Sequence, residues 1–136
     1  MIENDFKKIL KEKGLKATPQ RLLILNVIQK NGHIDIEKIY SKITEILPSI
    51  SIATVYKNLK TLIDADIVQE VNLKSFKTLY EVKKEEHIHL ICKQCKNVYD
   101  LILKKEDLKK YFKNFLSKEI DDIEVCIYSK CDNCKQ

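Results

Sequence analysis

Two Cys-x-x-Cys pairs, Cys92/Cys95 and Cys131/Cys134, constrain the fold of this chain more than any other feature. Each pair sets two thiolates on one tight knuckle, and two knuckles complete a tetrahedron around zinc. The 35 residues between the pairs exceed the usual zinc-ribbon spacing, so a helix and a strand have to bring the tail back to the first knuckle. The plainer alternative, reduced surface thiols, needs two such knuckles to arise by chance. A site with four sulfur ligands is closed, so its work is folding and not catalysis. The stretch from Met1 to Lys13 is charged throughout and does not read as a secretory signal. Paired cysteines without such a signal argue for a metal over a disulfide framework, and the expected compartment is cytoplasmic. Cys126, between Val125 and Ile127 on a strand, reads as core packing.

The first part of the chain reads as helices. Ile2, Phe6, Ile9 and Leu10 share one helical face, and Gly14 ends that helix. Thr18 is an N-cap with Pro19 at the first helical position, and the apolar stretch from Leu22 to Ile28 makes the second helix a buried one, ended near Gly32. Asp35 caps a third, with Ile36, Ile39, Tyr40, Ile43 and Leu47 inward and Pro48 closing it. Ser51 caps a fourth, with Ile52, Val55, Leu59, Leu62 and Ile63 at spacings of three and four. Strands follow from Ile67 to Val71 and from Thr78 to Val82, with Asn72 to Phe76 as the hairpin loop. Helices followed by a two-stranded hairpin make a winged helix.

Lys83 to Glu86 is a charged, exposed linker. Beyond it the pattern gives strands from His87 to Cys92 and from Val98 to Leu103. A helix follows from Lys105 to Ser117, with Leu108, Phe112, Phe115 and Leu116 inside, and then a strand from Ile123 to Ser129. The expected class is α+β, divided into residues 1–82, a linker at 83–86, and a second domain at 87–136. That second domain is small for a core of its own and needs a metal, a partner subunit or both. The longest uncharged run, Ile46 to Tyr56, is too short for a bilayer, so no membrane role is expected.

His87 and His89 alternate along a strand, so both imidazoles face one side. Glu81 lies just upstream and Asp100 on the neighbouring strand. Two imidazoles with carboxylates suit Fe(II) or Mn(II); the alternative is a pair of ordinary surface histidines in a charged stretch. On the fourth helix, the Ser51 cap brings Thr54 and Tyr56 near the N-terminus, where recognition helices meet base edges. Thr54 and Tyr56 can contact thymine methyls and phosphates, and Lys57 can neutralise a phosphate, unless Tyr56 simply packs. Net charge is +5, with 13 basic and 10 acidic groups in residues 1–82. That balance permits nucleic-acid binding without demonstrating it.

Four segments stand in one order: Gly14-Leu-Lys-Ala-Thr-Pro-Gln-Arg21, Ser51-x-Ala-Thr-Val-Tyr-Lys-Asn-Leu59, His87-x-His89-x-x-Cys92-x-x-Cys95 and Cys131-x-x-Cys134. In these the chain resembles the ferric-uptake-regulator family over nearly its whole length. The resemblance implies an N-terminal winged-helix DNA-binding domain and a small α/β dimerisation domain. It implies a homodimer that binds double-stranded operator DNA when loaded with metal. It assigns His33, Glu81, His87, His89 and Asp100 to a regulatory Fe(II) or Mn(II) ion and the four cysteines to structural zinc. Lys16, Arg21 and Tyr56 match DNA contacts. Asp100, where iron-sensing members usually have Glu, and the lack of a His from Ile123 to Tyr128 favour the peroxide-sensing members. Glu81 departs from that pattern, which has Asp there; Lys57 departs from the commoner Arg.

The expectation is therefore a repressor that is not an enzyme and takes no small-molecule substrate. Peroxide, acting through bound iron, would oxidise a ligand histidine, and the protein would release its operator. An iron- or zinc-sensing regulator of the same family is the first alternative. A non-haem iron enzyme is the second, because two His and a carboxylate resemble an oxygenase triad. A zinc-ribbon RNA-binding protein is the third, and it lacks the stacking aromatics such proteins carry near their knuckles.

Overall fold

A computed structural model describes residues 2–74 and 77–134, with side chains from Asp5 onward. The chain divides into two compact units, Met1–Lys83 and Lys84–Gln136. Among the described residues no helix is long and apolar enough to cross a membrane.

The first unit contains α1 (Ile2–Glu12), α2 (Pro19–Asn31), β1 (Ile34–Asp35), α3 (Ile36–Thr44), α4 (Ile52–Asp64), β2 (Val68–Val71) and β3 (Leu79–Val82). Each internal helix begins where a short oxygen-bearing side chain can accept from the first turn. Thr18 accepts from the Arg21 amide, Asp35 from that of Lys38, and Ser51 from that of Thr54. Gly32 ends α2 at φ 74°, a left-handed value that costs glycine nothing. Phe6, Leu10, Ile24, Leu25, Ile28, Ile39, Ile43, Val55, Leu59 and Leu62 close one core. Each such side chain contributes roughly 1.5–3 kcal/mol by leaving water.

Two expectations are corrected here. The third helix ends at Thr44, short of Pro48, although Leu47 still packs on the core. The wing is a three-stranded sheet in the order β1-β3-β2, not a two-stranded hairpin, because the two residues of β1 pair with β3. A strand that short shows no alternation from which sequence could find it. The hairpin loop read from Asn72 to Phe76 lies partly outside the described residues, as does the side chain of Ile2 on α1.

The second unit contains β4 (His87–Cys92), β5 (Val98–Ile102), α5 (Lys105–Leu116) and β6 (Cys126–Ser129). The sheet order is β5-β4-β6, with β4 antiparallel to β5 and parallel to β6. This pairing carries the chain after β6 back beside the first knuckle, and the Lys93 amide donates to the Ser129 carbonyl at 2.9 Å. The last strand is shorter than the span from Ile123. Cys126 is half-buried rather than in a core. The apolar side of α5 is likewise not inside: Leu108 is half-buried, and Phe112, Phe115 and Leu116 are 40%, 69% and 57% exposed. The spacing is amphipathic, but among the described residues nothing covers that face.

Candidate metal centres and nucleic-acid interface

The cysteine quartet lies wholly in the second unit. Cys92 ends β4, and the turn that carries Cys95 leaves through Lys96 at φ 65°. The Cys92 sulfur accepts from the Cys131 amide at 3.3 Å and the Cys95 amide at 3.4 Å. Those amides, from Cys131 first, pull the Cys92 thiol down to about 5. Cys134 moves the other way, to about 12, through its hydrogen bond with the Cys131 sulfur and then burial. Four sulfurs within 4.8 Å of one another cannot all carry charge without a cation between them. A closed all-thiolate set of this kind fits zinc, which holds every member deprotonated. Tyr99, which sequence reading did not single out, lines a cleft together with Cys131.

The second unit also brings three non-sulfur donors together. His89 and Asp100 are register partners across β4 and β5, and His87 lies two residues along on the same face. The Nε2 atoms of His87 and His89 are 3.2 Å apart, and Asp100 Oδ1 is 3.5 Å and 3.8 Å from them. His87 Nδ1 lies 2.9 Å from the Glu85 carbonyl, an outer contact that orients a ligating imidazole. Lys84 pairs with the other Asp100 oxygen. Two imidazoles and one carboxylate on one face can hold Fe(II) or Mn(II) with positions left open.

In the first unit, Ile34 pairs with Tyr80, so the antiparallel register sets His33 beside Glu81. His33 Nε2 lies 2.8 Å from Glu81 Oε2, and the Glu81 side chain is 0% exposed. On its other flank Glu81 is the register partner of Gln69, whose Nε2 donates to Glu81 Oε1 at 2.6 Å. His33 reaches this position through β1, the strand that sequence reading missed. Gln69 was missed too, since only the register reveals it.

The residues expected to meet DNA lie at the start of α2 and α4. Ser51 and Thr54 hydroxyls are 2.9 Å apart at the α4 N-terminus, Tyr56 is 48% exposed, and Lys57 and Lys16 are exposed. Arg21 has structural work. Its Nη1 donates to the Lys16 carbonyl at 2.9 Å and its Nε to Asn58 Oδ1 at 3.3 Å. Asn58 in turn donates to the Thr54 carbonyl at 3.0 Å. These bonds fix the first turn of α4 against the turn that precedes α2.

A winged helix joined to a thiolate-knuckle α+β unit, with a separate imidazole–carboxylate donor set, defines the class as a metal-binding winged-helix protein. The model of the Ferric uptake regulator family matches residues 12–128, and the chain belongs to that family. It is 29% identical to the peroxide-responsive repressor PerR of Staphylococcus epidermidis, over 93% of this chain and 86% of that one. Among solved structures, the Campylobacter jejuni peroxide stress regulator matches with TM-score 0.68 and 33% identity, covering 98% of this chain and 99% of that chain. The Vibrio cholerae ferric uptake regulator matches with TM-score 0.71 and 31% identity, covering 92% and 98%.

Proposed function

We propose that this metalloregulator is a cytoplasmic, dimeric, operator-binding repressor that senses peroxide through an iron site. The observation that carries the reading is the cluster of His87, His89 and Asp100, a mixed nitrogen–oxygen donor set separate from the thiolates. Zinc on Cys92, Cys95, Cys131 and Cys134 holds the second unit together. A second copy of the chain covers the apolar side of α5. His33 and Glu81 in the first unit, and His87, His89 and Asp100 in the second, are the ligands for the regulatory Fe(II) or Mn(II). Ser51, Thr54 and Tyr56 at the α4 N-terminus read base edges and backbone, while Lys16 and Lys57 neutralise phosphates. Arg21 holds that helix in place.

Fe(II), when bound, would supply a one-electron couple beside the imidazoles, lending an electron to peroxide and regaining one from the ring, so that the net two-electron oxidation is that of the ring by peroxide. One oxygen of the peroxide then replaces a ring C–H hydrogen of His33, His87 or His89, and the other leaves as water. An oxidised ring is a poorer ligand, the ion is lost, and the DNA-competent state loses its effector. The relatives named for peroxide response support this reading, as does Asp100. Glu81 favours the alternative, an iron-uptake regulator.

Mass mapping tests it. Protein loaded with Fe(II) and given equimolar peroxide is expected to gain one oxygen on a peptide containing His33, His87 or His89, and protein loaded with Mn(II) is expected to gain none. Oxygen or a disulfide appearing instead on Cys92, Cys95, Cys131 or Cys134, with the histidines intact, would make the sensor a zinc–thiolate switch.

A further inference from the structure

Glu81 lies in the central strand of the wing sheet, with a neighbour on each side in the same row. One of its oxygens faces His33; the other accepts from Gln69 across the β2–β3 pair. A carboxylate this deeply buried requires such partners, and Gln69 supplies one at 2.6 Å. Two atoms that would ligate one ion have to lie within a few ångströms of each other. The 2.8 Å between His33 Nε2 and Glu81 Oε2 meets that requirement. The Oε1 atom, held by the amide, is turned toward Gln69.

We infer that Gln69 is a positioning residue for the regulatory metal: it binds Glu81 Oε1 and so limits Glu81 to one-oxygen ligation through Oε2. The inference rests on the regulatory site proposed for His33 and Glu81. It also accounts for the glutamate at a position where peroxide-sensing members have aspartate. The extra methylene gives the carboxylate freedom to swing and chelate through both oxygens, and chelation would fill a coordination position that peroxide needs. A neutral amide donor from the adjacent strand removes that freedom without adding charge. Outer partners of this kind alter metal affinity about 10- to 100-fold.

The test uses the full-length, zinc-loaded chain and Mn(II) as the probe. Gln69→Met keeps the size of the side chain and removes the donor. The expected result is a change in Mn(II) affinity of about tenfold or more, together with an altered zero-field splitting in the Mn(II) electron paramagnetic resonance spectrum. A purely structural role would lower the melting temperature and leave that spectrum alone. In a Glu81→Asp background, where the shorter carboxylate does not reach Gln69, the same substitution should have no effect on either readout. If Gln69→Met does not fold, Gln69→Asn, with its donor one methylene short, replaces it with the same expectations. Affinity within twofold of wild type and an unchanged spectrum would overturn the role of Gln69. His87→Ala distinguishes failure of the regulatory site from failure of the role of Gln69. If it leaves Mn(II) binding intact, the proposed regulatory site falls, and the inference with it. If it abolishes binding while Gln69→Met changes nothing, only the inference falls.

Discussion

Cys92 and Cys131 are the two buried members of the thiolate set, and the Cys131 amide donates to the Cys92 sulfur. The knuckles therefore contact each other through backbone as well as through any shared ion. Removing one sulfur leaves three thiols and a loosened tail. Structural zinc contributes on the order of 10 kcal/mol of folding energy, more than a unit of this size gains from burying Ile88 and Ile91. Cys131→Ser is accordingly expected to lose zinc and to melt the second unit, read by metal analysis and by thermal unfolding followed in circular dichroism. Cys126→Ser should keep its zinc, since Cys126 is half-buried on β6 and not part of the quartet. A Cys131→Ser protein with full zinc content and an unchanged melting curve would refute the structural role.

At the scale of elements, α4 carries the strongest expectation about DNA. Its cap and its bonds through Asn58 to Arg21 hold its first turn rigid. Tyr56 and Lys57 stand exposed on successive positions, about 100° apart around the helix. Tyr56→Ala should weaken binding to operator more than to unrelated duplex, because base contacts specify. Lys57→Ala should weaken both about equally and reduce the salt slope by about one unit. Titrations of both duplexes across a salt series would check this, and unchanged discrimination in Tyr56→Ala would mean that another element reads the bases. The same scale shows what sequence could reveal. Thr18, Asp35 and Ser51 announce their helices because a cap is a local chemical requirement. The cysteine pairs announce their knuckles for the same reason. Register is not local: β1, the row from His33 through Glu81 to Gln69, and the parallel pairing of β6 with β4 appear only once distant segments are aligned. The exposed side of α5 was misread as interior because amphipathic spacing specifies a covered face without specifying what covers it.

For the whole molecule, metal and DNA are expected to be linked ligands. If the ion favours the state that binds operator, thermodynamics requires the operator to raise affinity for the ion by the same factor. A coupling of about 1–3 kcal/mol, or roughly 5- to 150-fold, is typical of such pairs. Charge alone offers a competing account. The chain carries a formal +5, and a divalent ion adds two further positive charges, which would strengthen binding to any duplex. The two accounts differ in what they predict for unrelated DNA. Under linkage, Mn(II) should tighten binding to an operator selected from random-sequence duplexes about tenfold or more, while binding to unrelated duplex changes far less at the same salt. The operator should then tighten Mn(II) binding by a matching factor, measured by calorimetry. Under simple charge addition, both duplexes gain alike and the gain fades as salt rises. Equal enhancement on both duplexes, or operator binding that is indifferent to Mn(II), would remove the regulatory role from the His–carboxylate donors and leave them as structural ligands.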